Sequence, residues 1–365
     1  MMTLGAVAGP ASDRSRRRDY GLLGADGRRA VEAGLAGAVW YNPPISRKDL
    51  AQLMKRRDGP AIRDTILWLG ALLVSGAAAI ALWGRWWAAI PFVVYGMLYG
   101  SGGDSRWHEC GHGTAFKTRW MNDAVYQLAS FMMLREPGIW RPSHGRHHAD
   151  TIIVGRDPEI NAFRPPDIVG HVLNLFALKG GLVALAHVAL HAAGRLTEAE
   201  KAFVPEKGWT RVARVARIWV AIFMVVILAC VMLRSILPAM LIGLPTFYGG
   251  WLTPIFGLTQ HAGLAEDVLD HRLNSRTVYM NPVSRFLYWN MNYHLEHHMF
   301  PMVPYHALPR LHELLKPYCP PPYPGLFAAY REIIPTLLRQ RRDPGHYVLR
   351  PLPPTDRNRL RDRNL

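Results

Sequence analysis

Cysteine is scarce in this chain: Cys110, Cys230 and Cys319 are the only three in 365 residues. Odd in number and far apart, they exclude a disulfide framework and any C-x-x-C metal pair, and they fit a reducing compartment. Acidic residues are also short, with 27 Asp and Glu against 43 Lys and Arg, for a net charge of +16. A surplus of that sign attracts phosphate, so nucleic acid is a partner to weigh. No long basic tract exists, however. The positive side chains gather in "DRSRRRD", "SRKDLAQLMKRRDGPAIRD", "TRVARVAR" and the C-terminal end, beside apolar runs or at chain ends. That is the pattern of cytoplasmic membrane flanks, and it argues against nucleic acid. No apolar core follows Arg16-Arg17, which excludes an export signal. A solenoid repeat, a haem-binding domain and a strand-linked G-x-G-x-x-G are also missing.

Long uncharged runs are present. Thr65 to Gly84 is long enough to cross a bilayer as a helix, and after Arg85 a second run extends from Trp86 to Gly103. Trp83, Trp86 and Trp87 mark the turn between them, as interfacial aromatics do. Ile218 to Leu233 and Ser235 to Ala265 form a second pair, separated by Arg234, with Pro238, Pro245 and Pro254 inside the last run. The expected fold is an all-α integral membrane protein with four spans in two hairpins and a cytoplasmic helical cap. Each turn carries one Arg, whereas Arg47, Lys48, Lys55, Arg56, Arg57, Arg63, Arg211, Arg214 and Arg217 crowd the other flanks, which places both termini in the cytoplasm. Residues 1–40 read as a mobile basic arm, 41–330 as the membrane domain and 331–365 as a basic tail.

The stretch "WHECGHGTAF" holds His108 and His112 at i and i+4, in the H-E-x-x-H pattern of zinc proteases, where Glu109 would be the general base. Two further clusters decide how to read it. "RPSHGRHHAD" carries His144, His147 and His148, and "MNYHLEHHMF" carries His294, His297 and His298. Spacings of three and four put imidazoles on one side of a helix. His261, near the end of the last apolar run, is a ninth. A zinc protease needs three ligands and an open position and would leave both H-x-x-H-H clusters idle. Nine imidazoles suit two ions, although residue type alone does not name the metal.

H-x-x-x-H, H-x-x-H-H and a distal H-x-x-H-H around two apolar hairpins resemble the membrane fatty acid desaturase and hydroxylase superfamily, over about Tyr41 to His312. "GRDPE" and "NMNYHLEHHMFPMVPYHALPRLHE" are similar to its bacterial members, among them dihydrorhizobitoxine desaturase and a rhizopine catabolism oxygenase, which act on small molecules. The resemblance implies a non-haem di-iron centre that uses O2 to remove hydrogen from an unactivated carbon. It also implies a lipid or small aliphatic substrate and a bacterial inner-membrane location, with hydroxylation as the alternative outcome. By matching position, the implied iron ligands are His108, His112, His144, His147, His148, His261, His294, His297 and His298. Glu109, Asp150, Asp157 and Glu296 lie beside these clusters, and Glu109, Asp157 and Glu296 are expected to orient imidazoles. One departure stands out: some relatives place Asn a turn before the ninth His, where this chain has Gly257. With no electron-carrying domain of its own, the chain is expected to take electrons from a separate ferredoxin-like carrier with its reductase, docked on the basic face.

His187 and His191 repeat the i, i+4 spacing in "LAHVALHAAG". The apolar segment around them reads as a membrane-surface helix, so they are expected at the lipid interface, away from the metal. His271, His306, His312 and His346 lack a partner at ligand spacing. Met132, Met133 and the aromatics of Phe286 to Trp289 read as core or as a substrate tunnel. Arg272, Arg276 and Asn281 fit either a head-group site or helix capping.

Overall fold

The uncharged run from Thr65 to Gly84 is taken up by helix Asp58–Ala81 in the computed structural model, which describes residues 18–353. At about 1.5 Å per residue it is long enough to cross the hydrocarbon of a bilayer. Ile66, Leu67, Leu73, Val74 and Ile80 face outward, the surface expected against lipid rather than water. Gly84, at φ +84°, makes the tight turn, and Trp83, Trp86 and Trp87 are exposed at its tip. Helix Ala89–Gly100 then runs back. The buried Trp68 indole donates to the Leu98 carbonyl (2.8 Å) and ties the two limbs together.

The returning limb does not stop cleanly. Gly103 (ψ −137°) and Asp104 (ψ +35°) leave helical geometry inside a widened turn over Gly102–Trp107. The chain is thereby re-aimed before helix His108–His112, which ends on the left-handed Gly113 (φ +69°).

Helix Trp209–Met232 opens the second hairpin. Among the described residues two helices are long and apolar enough to span a membrane, those ending at Ala81 and Met232. The expected fourth span is instead three short helices, Leu237–Leu241, Pro245–Gly249 and Leu252–His261. Proline removes a helix hydrogen bond and clashes with the preceding turn, and Pro238 and Pro245 open the first two pieces. Side chains satisfy the carbonyls around the breaks: Tyr248 donates to Met240 (2.7 Å) and Tyr95 to Leu241 (2.9 Å). Thr246 donates to Met132 (2.7 Å). An apolar setting requires such repair. Gly96 and Gly249 lie at the crossing of the two hairpins, where a Cβ on Gly249 would overlap the Gly96 carbonyl, the close approach that small residues permit between helices.

The remaining helices are short and form a cap; among the described residues there are no strands, only two isolated bridges. Its core includes the buried Val303, Leu308, Leu311 and Leu315. The expectation of a mobile arm over 1–40 needs correction for residues 18–40. They carry helix Ala25–Glu32, and Arg18 pairs with Glu266 (2.7 Å) and Asp267 (2.9 Å) while Tyr20 donates to Glu266 (2.9 Å). Residues 1–17 lie outside the described residues. The expected C-terminal tail is likewise not all tail: Ile333 and Leu337 are buried within helix Leu326–Gln340, and residues 354–365 are outside the described part.

Candidate metal centre

Each histidine cluster occupies a helix. His108 and His112 lie at the two ends of His108–His112; His144, His147 and His148 are in the last turns of Pro137–Ala149; His294, His297 and His298 are on His294–Met299. His261 is the last residue of Leu252–His261. The structure brings all nine together in two groups. One contains His108, His112, His144, His148 and His297, the other His147, His261, His294 and His298.

Helix periodicity explains the division. In each H-x-x-H-H the first and last His are one turn apart and share a face. His144 and His148 therefore enter one group together, and His294 and His298 enter the other. The middle imidazoles, His147 and His297, point across to the opposite group. The clusters interlock, and neither group is complete without both.

Within the first group Nε2 atoms approach each other closely: His108 to His297 (2.8 Å), His144 to His108 (2.9 Å), and His144 to His112 and to His148 (3.1 Å each). In the second, His294 Nε2 lies 2.9 Å from both His261 and His298. The opposite ring nitrogens explain what these atoms are for. His144 Nδ1 donates to Glu159 (2.9 Å), His147 Nδ1 to Asp157 (2.8 Å), and His261 Nδ1 to the Asn274 carbonyl (2.7 Å). His298 Nδ1 meets the Thr151 hydroxyl (3.2 Å), which itself donates to the His147 carbonyl. A neutral imidazole has one N–H, so each of these rings presents a bare Nε2 lone pair to its neighbours. Lone pairs facing lone pairs repel unless a cation lies among them. The donor set thus fits two metal ions of the kind imidazole binds, iron included.

Electrostatics agree. Burial, then the neighbouring imidazoles, pushes His108, His148, His294, His297 and His298 well below the usual histidine range, keeping the rings neutral as ligation needs. His147 runs the other way: burial opposes its charge, but the Asp157 carboxylate outweighs burial and raises the pKa to about 9, so a metal ion must displace a proton from this ring before its Nε2 lone pair is free. Burial likewise works against the Glu159 anion, yet His144 beside it holds the carboxyl down to about 2.

The expected orienting carboxylates divide. Asp157 does hold His147 and is itself fixed by the Ile152 N–H (2.8 Å). Glu109 is buried; its Oε2 accepts from the Thr114 hydroxyl (2.9 Å) and the Tyr305 N–H (3.0 Å), and its Oε1 is 3.8 Å from His297 Nδ1. It therefore faces an imidazole from a distant cluster rather than one of its own. Burial raises its pKa to about 7. Glu296 is a correction: it accepts from His312 Nδ1 and from the Thr277 hydroxyl (2.6 Å) and orients none of the nine. Asp150 pairs with Arg156 and Arg146. Sequence reasoning missed Glu159, two residues beyond Asp157 in "GRDPE"; an acidic residue that close to the second cluster was the available signal. At Gly257 the space of the missing side chain lies beside Asp104, whose Oδ2 is 3.4 Å from where a Cβ would be. Exchanging Asp157 for Asn or Glu159 for Gln is expected to weaken iron binding by about 10–100-fold, the usual cost of losing an outer partner, measurable by iron content after graded chelation.

The polar residues between the clusters each have a protein partner. Asn281 caps helix Pro282–Leu287, Arg272 pairs with Asp270 (2.8 Å), and Arg276 pairs with Glu332 (3.2 Å). Met132, Leu287 and Tyr288 belong to the buried core.

The sequence model of a family described as fatty acid desaturase matches residues 84–330, a stretch that encloses all nine histidines. The Delta(5) fatty acid desaturase fat-4 of Caenorhabditis elegans is 40% identical over 55 residues. That stretch is 15% of this chain and 12% of the relative, so it speaks for a shared segment and not for a shared substrate.

Proposed function

The chain belongs to the fatty acid desaturase family of oxidoreductases, and from that premise we propose that it is an O2-dependent, non-haem di-iron membrane desaturase. The observation that carries the reading is the convergence of nine imidazole Nε2 atoms into two interlocked groups. His108, His112, His144, His148 and His297 would hold one iron, and His147, His261, His294 and His298 the other. Bound there, the pair of irons would supply the oxidising power to take hydrogen from an unactivated carbon, leaving a C=C bond. Asp157 and Glu159 accept the Nδ1 protons of His147 and His144 and keep those rings turned inward. Burial of His108, His294, His297 and His298 keeps bulk water from those four rings. Glu109, engaged by Thr114 and the Tyr305 N–H, is placed to steady His297 rather than to act as a protease base.

A fatty acyl chain is the first substrate class to test, given the name of the relative; a small aliphatic metabolite is the second. Four crossings in two hairpins, with the cap and both termini in the cytoplasm of a bacterial inner membrane, fit the Arg and Lys flanks. Electrons would come from a separate ferredoxin-like protein with its reductase. The test is expression followed by lipid and metabolite profiling with and without O2, against a His297→Ala control. The chain should stay in membranes after high-salt washing, and an unsaturated product should appear only with O2 and intact His297. A hydroxylated product instead would make it a hydroxylase, and a product indifferent to O2 would end the reading.

A further inference from the structure

We propose that His187, His191 and Glu200 form a further metal site, outside the two groups described above, for a zinc-class divalent cation. Helix Gly180–Ala192 sets His187 and His191 one turn apart on one face. The chain then folds back through Thr197, whose side chain and Glu200 cap helix Glu198–Lys201 reciprocally. This returns the Glu200 carboxylate to both imidazoles: Oε1 is 2.9 Å from His187 Nδ1 and Oε2 is 3.1 Å from His191 Nε2. One donor atom from each residue falls within 4.8 Å of the others. Ligand atoms of a tetrahedral zinc with bonds of about 2.0–2.1 Å lie roughly 3.3 Å apart, so little movement is needed.

A second observation makes this more than a cluster. Glu136, 4% exposed, accepts from His191 Nδ1 through Oε2, while its Oε1 has no hydrogen-bond partner among the described residues. The same relation holds at the iron groups, where Asp157 and Glu159 take the outer nitrogens of His147 and His144 and leave the inner ones free. Charge points the same way. Glu136 and Glu200 are both buried, and among the described residues neither pairs with Lys or Arg; their ionic partners are His187 and His191 alone. Two buried carboxylates without a fixed cation are costly, and a divalent ion would neutralise them. Two imidazoles and a carboxylate, without thiolate, suit zinc. The His187 side chain is 41% exposed, which gives the ion a way in and leaves a position for water. Loaded, the site would fasten helix Gly180–Ala192 to Glu136, the residue that leads into the helix carrying His144, His147 and His148.

A proton on His191 is the competitor. Burial works against that charge, yet the hydrogen bonds that His191 donates to Glu136 and Glu200 raise its pKa to about 9. The test is metal analysis of the full chain purified in detergent after growth with iron and zinc, for the wild type, His187→Ala and Glu200→Gln, with X-ray absorption at the zinc edge. About one zinc per chain is expected in the wild type, with nitrogen and oxygen ligation and no sulfur. Both variants should lose it while keeping their iron. Absence of zinc from the iron-loaded wild type overturns the proposal and makes His191 a protonated bridge between two carboxylates. Zinc present equally in all three proteins also overturns it, because the ion then lies elsewhere. If neither variant folds, the wild-type stoichiometry and edge spectrum still decide.

Discussion

Replacing His297 with Ala is expected to abolish turnover and strip iron from the five-imidazole group, and His294→Ala is expected to do the same through the four-imidazole group. Each side chain is buried and packed only 2.8–2.9 Å from a neighbouring ligand nitrogen. Alanine leaves a hole in the donor set, and four of the neighbouring imidazoles, His147, His144, His261 and His298, are held from behind by Asp157, Glu159, Asn274 and Thr151 and cannot swing in to fill it. The loss should exceed the roughly 100-fold ceiling typical of changes to outer partners. His346→Ala, far from ligand spacing, should keep both iron and activity. Iron per chain and O2-dependent product are the two readouts. Because each H-x-x-H-H serves both groups, His147→Ala and His148→Ala should also impair different ions although the residues are adjacent. Full iron content in His294→Ala would show that the second group does not hold iron.

The second large contrast is between Glu109→Gln and His112→Ala, where the two readings of "HECGH" separate. In a zinc protease Glu109 would be the base, and Gln would stop catalysis with the metal still bound. Here the carboxylate accepts from Thr114 and the Tyr305 N–H and stands 3.8 Å from His297 Nδ1. Gln can keep the first two contacts through its carbonyl, but turns an N–H toward His297 in place of an acceptor. A loss of about 10–100-fold is expected, short of abolition. His112→Ala, which opens the donor set itself, should leave nothing measurable. Following product formation with and without O2, beside a peptide-hydrolysis assay, settles the matter. O2-independent peptide cleavage that disappears in Glu109→Gln, with zinc retained, would falsify the di-iron reading.

Local rules carry much of this protein. The spacings of three and four in "HECGH", "HGRHH" and "HLEHH" were enough to name eight of the nine converging imidazoles, because helix geometry is set by the backbone alone; His261 was named from its place near the end of the last apolar run. The apolar runs and their basic flanks were enough to expect four spans, and among the described residues two helices, Asp58–Ala81 and Trp209–Met232, lie on those runs and are long and apolar enough to cross a bilayer. The breaks in the last limb were written in Pro238, Pro245 and Pro254; what was not written was where Tyr95 and Tyr248 would repair them, since Tyr95 comes from another helix. Partners behind the imidazoles divide the same way. Asp157 and Glu159 adjoin the second cluster, but only the packed cap turns Glu296 away toward His312, brings Glu109 to His297, and folds Glu200 back onto His187 and His191. The division into five and four is decided last of all. It depends on which faces of four separate helices meet, and a sequence records the face of each helix but not the angle at which two helices cross.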